Sequence, residues 1–114
     1  MAQYDLLVLG SGPAGQKAAI QAAKLRKRVV IVEKEQVGGA SVNTGTLPSK
    51  TLKDAIYHLH GLKLRSFTNV SVSLNKSFTM SDLMARKDHV IKTELAIVTN
   101  QLERNDVEIV HGTA

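Results

Sequence analysis

Three glycines, Gly10, Gly12 and Gly15, stand at the spacing G-x-G-x-x-G, with Pro13 and Ala14 between the last two. In a strand-to-helix turn this spacing can hold a pyrophosphate. The first glycine permits a tight turn, the second lets the backbone approach the phosphates, and the third lets helix and strand pack closely. The anion then faces the free N–H groups and positive dipole end of the helix, and Pro13 near the start loses no needed donor. About 20 residues past the turn comes an acid, Glu33, placed to accept hydrogen bonds from ribose hydroxyls. Flavin and nicotinamide dinucleotides both use such a turn, and the motif does not choose between them.

The elements that must position these groups are legible on either side. Residues 4–9 form a short apolar run, residues 16–25 an alanine-rich stretch, and residues 29–32 a β-branched run ending at Glu33 and Lys34. Continuous apolar strands of this kind are those of a parallel sheet, so the segment predicts a βαβ unit. Residues 41–61 read as helix interrupted at Pro48, with Gly61 as a plausible stop. Residues 70–74 alternate with period two, as an edge strand does. Thr79 and Asp82 have capping-box spacing. The helix they open should run to about Arg104 with Met84, Ile91, Leu95, Val98 and Leu102 as its buried stripe. Residues 107–110 predict a third strand.

Between Gly38 and Lys50 lies a second constellation: Gly38, Gly39, Asn43, Gly45, Pro48, Ser49 and Lys50, with Ser41 and Thr46 interspersed. This segment resembles the active-site stretch of the FAD-dependent pyridine nucleotide–disulfide oxidoreductases, Gly-Gly-Thr-Cys-x-Asn-x-Gly-Cys-x-Pro-Ser-Lys. It departs from that pattern at Ala40 and at both cysteine positions, which are Ser41 and Thr46 here. Its wording is most like the soluble transhydrogenase branch, which itself keeps Thr at the second position.

The resemblance implies an α/β, Rossmann-like three-layer FAD/NAD(P)-binding domain, partial, with a parallel sheet and crossover helices. It implies FAD as cofactor and NAD(P) as substrate of the longer enzyme. The implied FAD contacts are Gly10, Gly12, Pro13, Ala14, Gly15, Glu33, Lys34, Gly38, Gly39, Ser41, Lys50, Gly112 and Thr113. Lys50 is implied beside the flavin's reactive edge, with Ser41 and Thr46 lining the flavin face. Residues 1–114 are then expected to be the N-terminal part of an FAD-binding domain, with the NAD(P) and dimerisation domains of a homodimeric enzyme absent and little activity in the chain alone.

Composition bounds the chemistry. The chain has 114 residues and no cysteine, which excludes disulfides, thiolate metal sites and cysteine nucleophiles. Two hydroxyls at positions 41 and 46 cannot replace a dithiol, so disulfide reduction is excluded. What survives is hydride exchange between NADPH and NAD through a flavin. Two alternatives stay open: an inactive or stand-alone dinucleotide-binding remnant, and a cysteine-free lipoamide dehydrogenase-like protein.

The net charge of +5 raises nucleic acid as a partner, but aromatic content is only 4%, and base-stacking platforms need aromatics. The basic run from Lys24 to Arg28 suits a helix C-terminus, so no nucleic-acid partner is expected. His58 and His60, two apart, would not share a helix face, and with His89 and His111 they predict no metal site. The apolar runs fall far short of the roughly 20 residues of a membrane span, and no secretory leader is read. A cytoplasmic location without membrane contact is the expectation.

Overall fold

Strand β1 (Leu6–Leu9) leads through the glycine turn into helix α1 (Pro13–Lys24), and the chain returns as β2 (Val29–Glu33). A short helix α2 (Gly39–Asn43), a longer α3 (Thr46–Leu64) and a 24-residue α4 (Met80–Glu103) follow, before β3 (Glu108–His111). The computed structural model describes residues 3–64 and 78–114. The edge strand expected at residues 70–74 lies outside them.

All pairing is parallel, in the order β1-β2-β3, with Val8 opposite Ile31 and Ile31 opposite Ile109. That register puts Leu6, Val8, Val29, Ile31 and Ile109 on one face, because side chains alternate along a strand. On this face Ala19 of α1 and Val98 and Leu102 of α4 complete a buried cluster with Val29, Ile31 and Val107. Ile31 and Leu102 are fully buried, a burial that stabilises by about 1.5–3 kcal/mol for each side chain. On the opposite face Leu7, Leu9 and Val110 remain exposed.

The expected elements form, with shifts that have physical causes. Helix α1 begins at Pro13, so Gly15 lies inside its first turn rather than before it. The break between α2 and α3 falls at Thr44 and Gly45, not at Pro48. Pro48 sits in the first turn of α3, where a backbone N–H has no intrahelical acceptor to lose. Gly45 instead makes the turn: its N–H donates to Ala40 O at 2.6 Å, and a Cβ would stand 3.0 Å from that oxygen. Gly61 does not stop α3, which continues to Leu64; a glycine costs an interior helix only about 1 kcal/mol.

The capping box forms as expected. Asp82 N–H donates to Thr79 Oγ1, and Thr79 N–H donates to the Asp82 carboxylate at 2.9 Å. Along α4 the stripe is buried or half-buried from Ile91 to Leu102, but Met84 is largely exposed. Only the C-terminal half of α4 crosses the sheet cluster, and α3 packs along the rest. The Cα radius of gyration is accordingly 19.9 Å, against about 13 Å for a compact chain of this size.

The tightest steric constraint is at Gly15. A Cβ there would stand 2.1 Å from Gly10 O, a backbone atom, and 3.2 Å from Val8 Cγ1. Gly12, by contrast, has nothing within 4 Å of its would-be Cβ and φ and ψ of −65° and 175°, open to any residue. Gly15→Ala should therefore lower unfolding free energy by about 1–3 kcal/mol, as overpacking does. Gly12→Ala should stay within about 0.5 kcal/mol of wild type. Urea denaturation midpoints of the two variants check the contrast, and equal midpoints would contradict it.

Candidate functional site

The glycine turn is held by a backbone bond from Gly10 and by side-chain bonds from residues outside the glycines. Gly10 takes φ of +90°, in the left-handed region, and its N–H donates to Val32 O at 2.8 Å. The next residue, Ser11, is completely buried. Its N–H donates to Glu33 Oε2 at 2.8 Å, and its hydroxyl donates to the same oxygen. Gln16, buried in α1, returns from the helix side, its Nε2 donating to Ser11 O at 2.7 Å.

Glu33 is the buried acid of this network. Its other oxygen, Oε1, accepts the Glu35 N–H at 2.8 Å. The Ser11 hydroxyl, then the backbone N–H groups of Glu35 and Ser11, hold its carboxyl down at about 2 against the opposing effect of burial. It is therefore a carboxylate throughout the neutral range. Its carbonyl accepts the Gly112 N–H at 2.9 Å, so the turn, Glu33 and the exposed Gly112–Thr113 segment stand together at the carboxyl ends of the strands. Open parallel sheets bind ligands at that edge.

A second loop docks on the first. Gly38 and Gly39 take φ of +94° and +68°, and a Cβ on Gly39 would come within 3.0 Å of Gly12 Cα. Gly38 N–H donates to Ser11 Oγ at 3.2 Å. Asn43 then fastens α2, its Nδ2 donating to Val37 O at 3.0 Å and Gly39 O at 2.9 Å. Asn43 Oδ1 is buried and has no partner among the described residues.

Helix α2 separates two clefts. One, of about 530 Å³, is lined by Glu33, Glu35, Gln36, Gly39, Ala40, Asn43 and Thr44. The other, of about 400 Å³, brings together Pro13, Gln16 and Lys17 of α1, Ser41, Thr46 and Lys50, and Glu94, Val98 and Gln101 of α4. The three residues expected to share a site, Ser41, Thr46 and Lys50, thus share this cleft. Ser41 is half-buried there, whereas Thr46 and Lys50 are exposed. Lys34 and Ala14 are exposed and line neither cleft.

Three features fit a dinucleotide. Space is open at Gly12, where a Cβ would project. The first turn of α1 carries no acid to repel an anion. Asn43, whose buried Oδ1 has no partner among the described residues, is one of the residues lining the Glu33 cleft. Among the described residues no cluster of His, Asp and Glu could hold a metal ion, and no helix is long and apolar enough to cross a membrane.

Ser11, Gln16 and Asn43 were not singled out as functional from the sequence. Ser11 occupies a variable position of the motif, and only contact reveals its partner. Gln16 could have been noticed as a polar residue beside the alanines that face the sheet.

A family model of pyridine nucleotide-disulphide oxidoreductases matches residues 4–114. A soluble pyridine nucleotide transhydrogenase of Mycobacterium tuberculosis (strain ATCC 25177 / H37Ra) is 50% identical over 113 residues, covering 98% of this chain and 24% of that protein. A dihydrolipoyl dehydrogenase of Acholeplasma laidlawii is 36% identical over 110 residues, 96% of this chain and 33% of that one. The Cu(II) complex of the HOCl-induced flavoprotein disulfide reductase RclA from Escherichia coli shares the fold with a TM-score of 0.74 at 23% identity, over 100% of this chain and 22% of that chain. The chain spans about a quarter of the length of the transhydrogenases it matches. It belongs to the pyridine nucleotide-disulphide oxidoreductase family.

Proposed function

We propose that this chain is the FAD-binding portion of a flavoprotein that exchanges hydride between NADPH and NAD. The observation that carries the reading is the cleft in which Ser41, Thr46 and Lys50 meet in a chain without cysteine. No thiol is present there to relay electrons to a disulfide. Similarity to transhydrogenases at 50% identity supports the same conclusion, and the lower identity to dihydrolipoyl dehydrogenases gives that alternative no advantage. Residues 1–114 act in this reading as the N-terminal part of the FAD-binding domain of a cytoplasmic homodimer.

When bound, FAD supplies the hydride-accepting and hydride-donating chemistry. The chain's own residues bind and orient. The α1 N-terminus and the open backbone at Gly12 receive the pyrophosphate. Glu33, ionised, accepts from a ribose hydroxyl. Lys50 brings a positive charge to the second cleft, where it would offer electrostatic stabilisation to a flavin held there. Ser41 and Thr46 offer hydroxyls in the same cleft as polar contacts. A nicotinamide must also be held against the flavin, and that positioning accounts for much of such a rate.

Three outcomes test this. Gly12→Ala, though neutral for folding, should lower FAD retention after desalting by about tenfold or more, because close backbone approach is lost. The chain of 114 residues should show no turnover with NADPH and thio-NAD; tight stoichiometric flavin with turnover would show instead that these residues suffice. In a protein of the relatives' length carrying this sequence, Lys50→Met should make the bound flavin's potential more negative and slow its reduction by NADPH, with flavin content unchanged. Stopped-flow reduction at the wild-type rate would remove Lys50 from the mechanism.

A further inference from the structure

Ser11 joins the glycine turn to the end of β2 and to the loop before α2, which lie 22 and 27 residues further along the chain. We propose that Ser11 is a positioning and specificity-determining residue, one that occupies Glu33 Oε2 and leaves Oε1 to accept a single ribose hydroxyl of the dinucleotide. The hydroxyl part of this inference rests on the proposed FAD binding; the positioning part does not.

The geometry is a short relay. Gly38 N–H donates to Ser11 Oγ, whose own proton goes to Glu33 Oε2. The Ser11 N–H donates to the same Oε2. A carboxylate offers about four lone-pair directions, two on each oxygen. Ser11 fills both on Oε2, and the Glu35 N–H fills one on Oε1. At most one acceptor direction is left on Oε1, on a residue that lines the larger cleft; the Lys34 N–H also steadies the carboxylate without a hydrogen bond of full geometry. A carboxylate free to rotate could face two neighbouring hydroxyls with both oxygens; this one is pinned in one rotamer by bonds from two directions. The relay also has no slack, because Ser11 is completely buried and its carbonyl is held by Gln16.

Charge around Glu33 does not account for the pinning. Lys34 and Glu35 follow it in the chain, His111 is its register partner on β3, and Gln16 of α1 and Asn43 of α2 are uncharged. None of these charged groups changes when Ser11 is substituted, so a change in Glu33 reports on the relay.

The test uses the chain labelled with 13C at glutamate carboxyls, titrated by NMR without ligand. In wild type, Glu33 should stay ionised to the lowest pH at which the fold persists. In Ser11→Ala its midpoint should rise by about one pH unit, the equivalent of one lost charge-assisted bond. Ser11→Cys, with a similar volume and a weak donor, should fall between and serves if the alanine variant does not fold. An unchanged Glu33 midpoint in a folded variant would overturn the positioning role.

A second arm uses FAD and its analogues lacking the adenosine 2′- or 3′-hydroxyl. One analogue should lose about tenfold in affinity and the other little, and Ser11→Ala should erase the difference. Equal losses for both analogues would overturn the single-hydroxyl assignment. Failure of FAD itself to bind would count against the proposed function and leave the titration result standing.

Discussion

The carboxylate of Glu33 is the interaction on which the arrangement depends. It is a buried charge, which is costly unless fully hydrogen-bonded. Here it is satisfied by Ser11 and Glu35 rather than by a cation. Removing one of those donors would leave a buried anion short of a partner, a deficit worth more than the ordinary net value of a hydrogen bond. The same group ties β2 to the glycine turn through its side chain and to Gly112 through its carbonyl. The order of the ligand-facing loops and the stability of the β1-α1-β2 unit thus share one cause.

Steric constraint does the complementary work. Gly10 O lies where a Cβ of Gly15 would be, and Gly12 Cα lies where a Cβ of Gly39 would come. Each contact lets two backbones approach to a distance that only glycine permits. The first fixes how α1 leaves the sheet, and therefore where its free N–H groups point. The second presses the loop before α2 against the turn, which brings Gly38 within reach of Ser11. Gly12 itself is sterically unconstrained by the described residues; on the proposed function its glycine serves the dinucleotide rather than the fold.

Much of this was legible in the sequence because it is local. The βαβ unit shows in the apolar runs at residues 6–9 and 29–32, the start of α4 in Thr79 and Asp82, and the dinucleotide turn in the glycine spacing. The break between α2 and α3 was misplaced because Pro48 reads as a breaker, whereas its effect depends on its distance from the helix start. Met84 fits the helical period of the stripe, yet its burial depends on where the sheet ends. Glu33 was assigned to a ligand alone. Its bonds to Ser11, 22 residues away in sequence, are a tertiary fact that no spacing encodes.

The short helix α2 divides two clefts. Gly39, Asn43 and Thr44 line one cleft with Glu33; Ser41 and Val42 line the other with Thr46 and Lys50. The five residues of α2 contribute to both clefts, and Asn43 fastens the helix to its own start. In the proposed reading, the adenosine end of FAD meets a site with an ionised acid held in place by Ser11 and Glu35. The reacting end meets a lysine and two hydroxyls that are freer and more exposed. A pinned acid suits recognition, where affinity depends on preorganisation. An exposed Lys50 has yet to gain most of its electrostatic leverage, since a charge in water is strongly screened. That leverage grows only when further surface closes over the cleft. Relatives four times as long have such surface to offer, while the exposed Leu7, Leu9 and Val110 show that this sheet, too, presents apolar area for packing. On the proposed function, the binding half of the site is thus built within these residues, and the catalytic half depends on what encloses it.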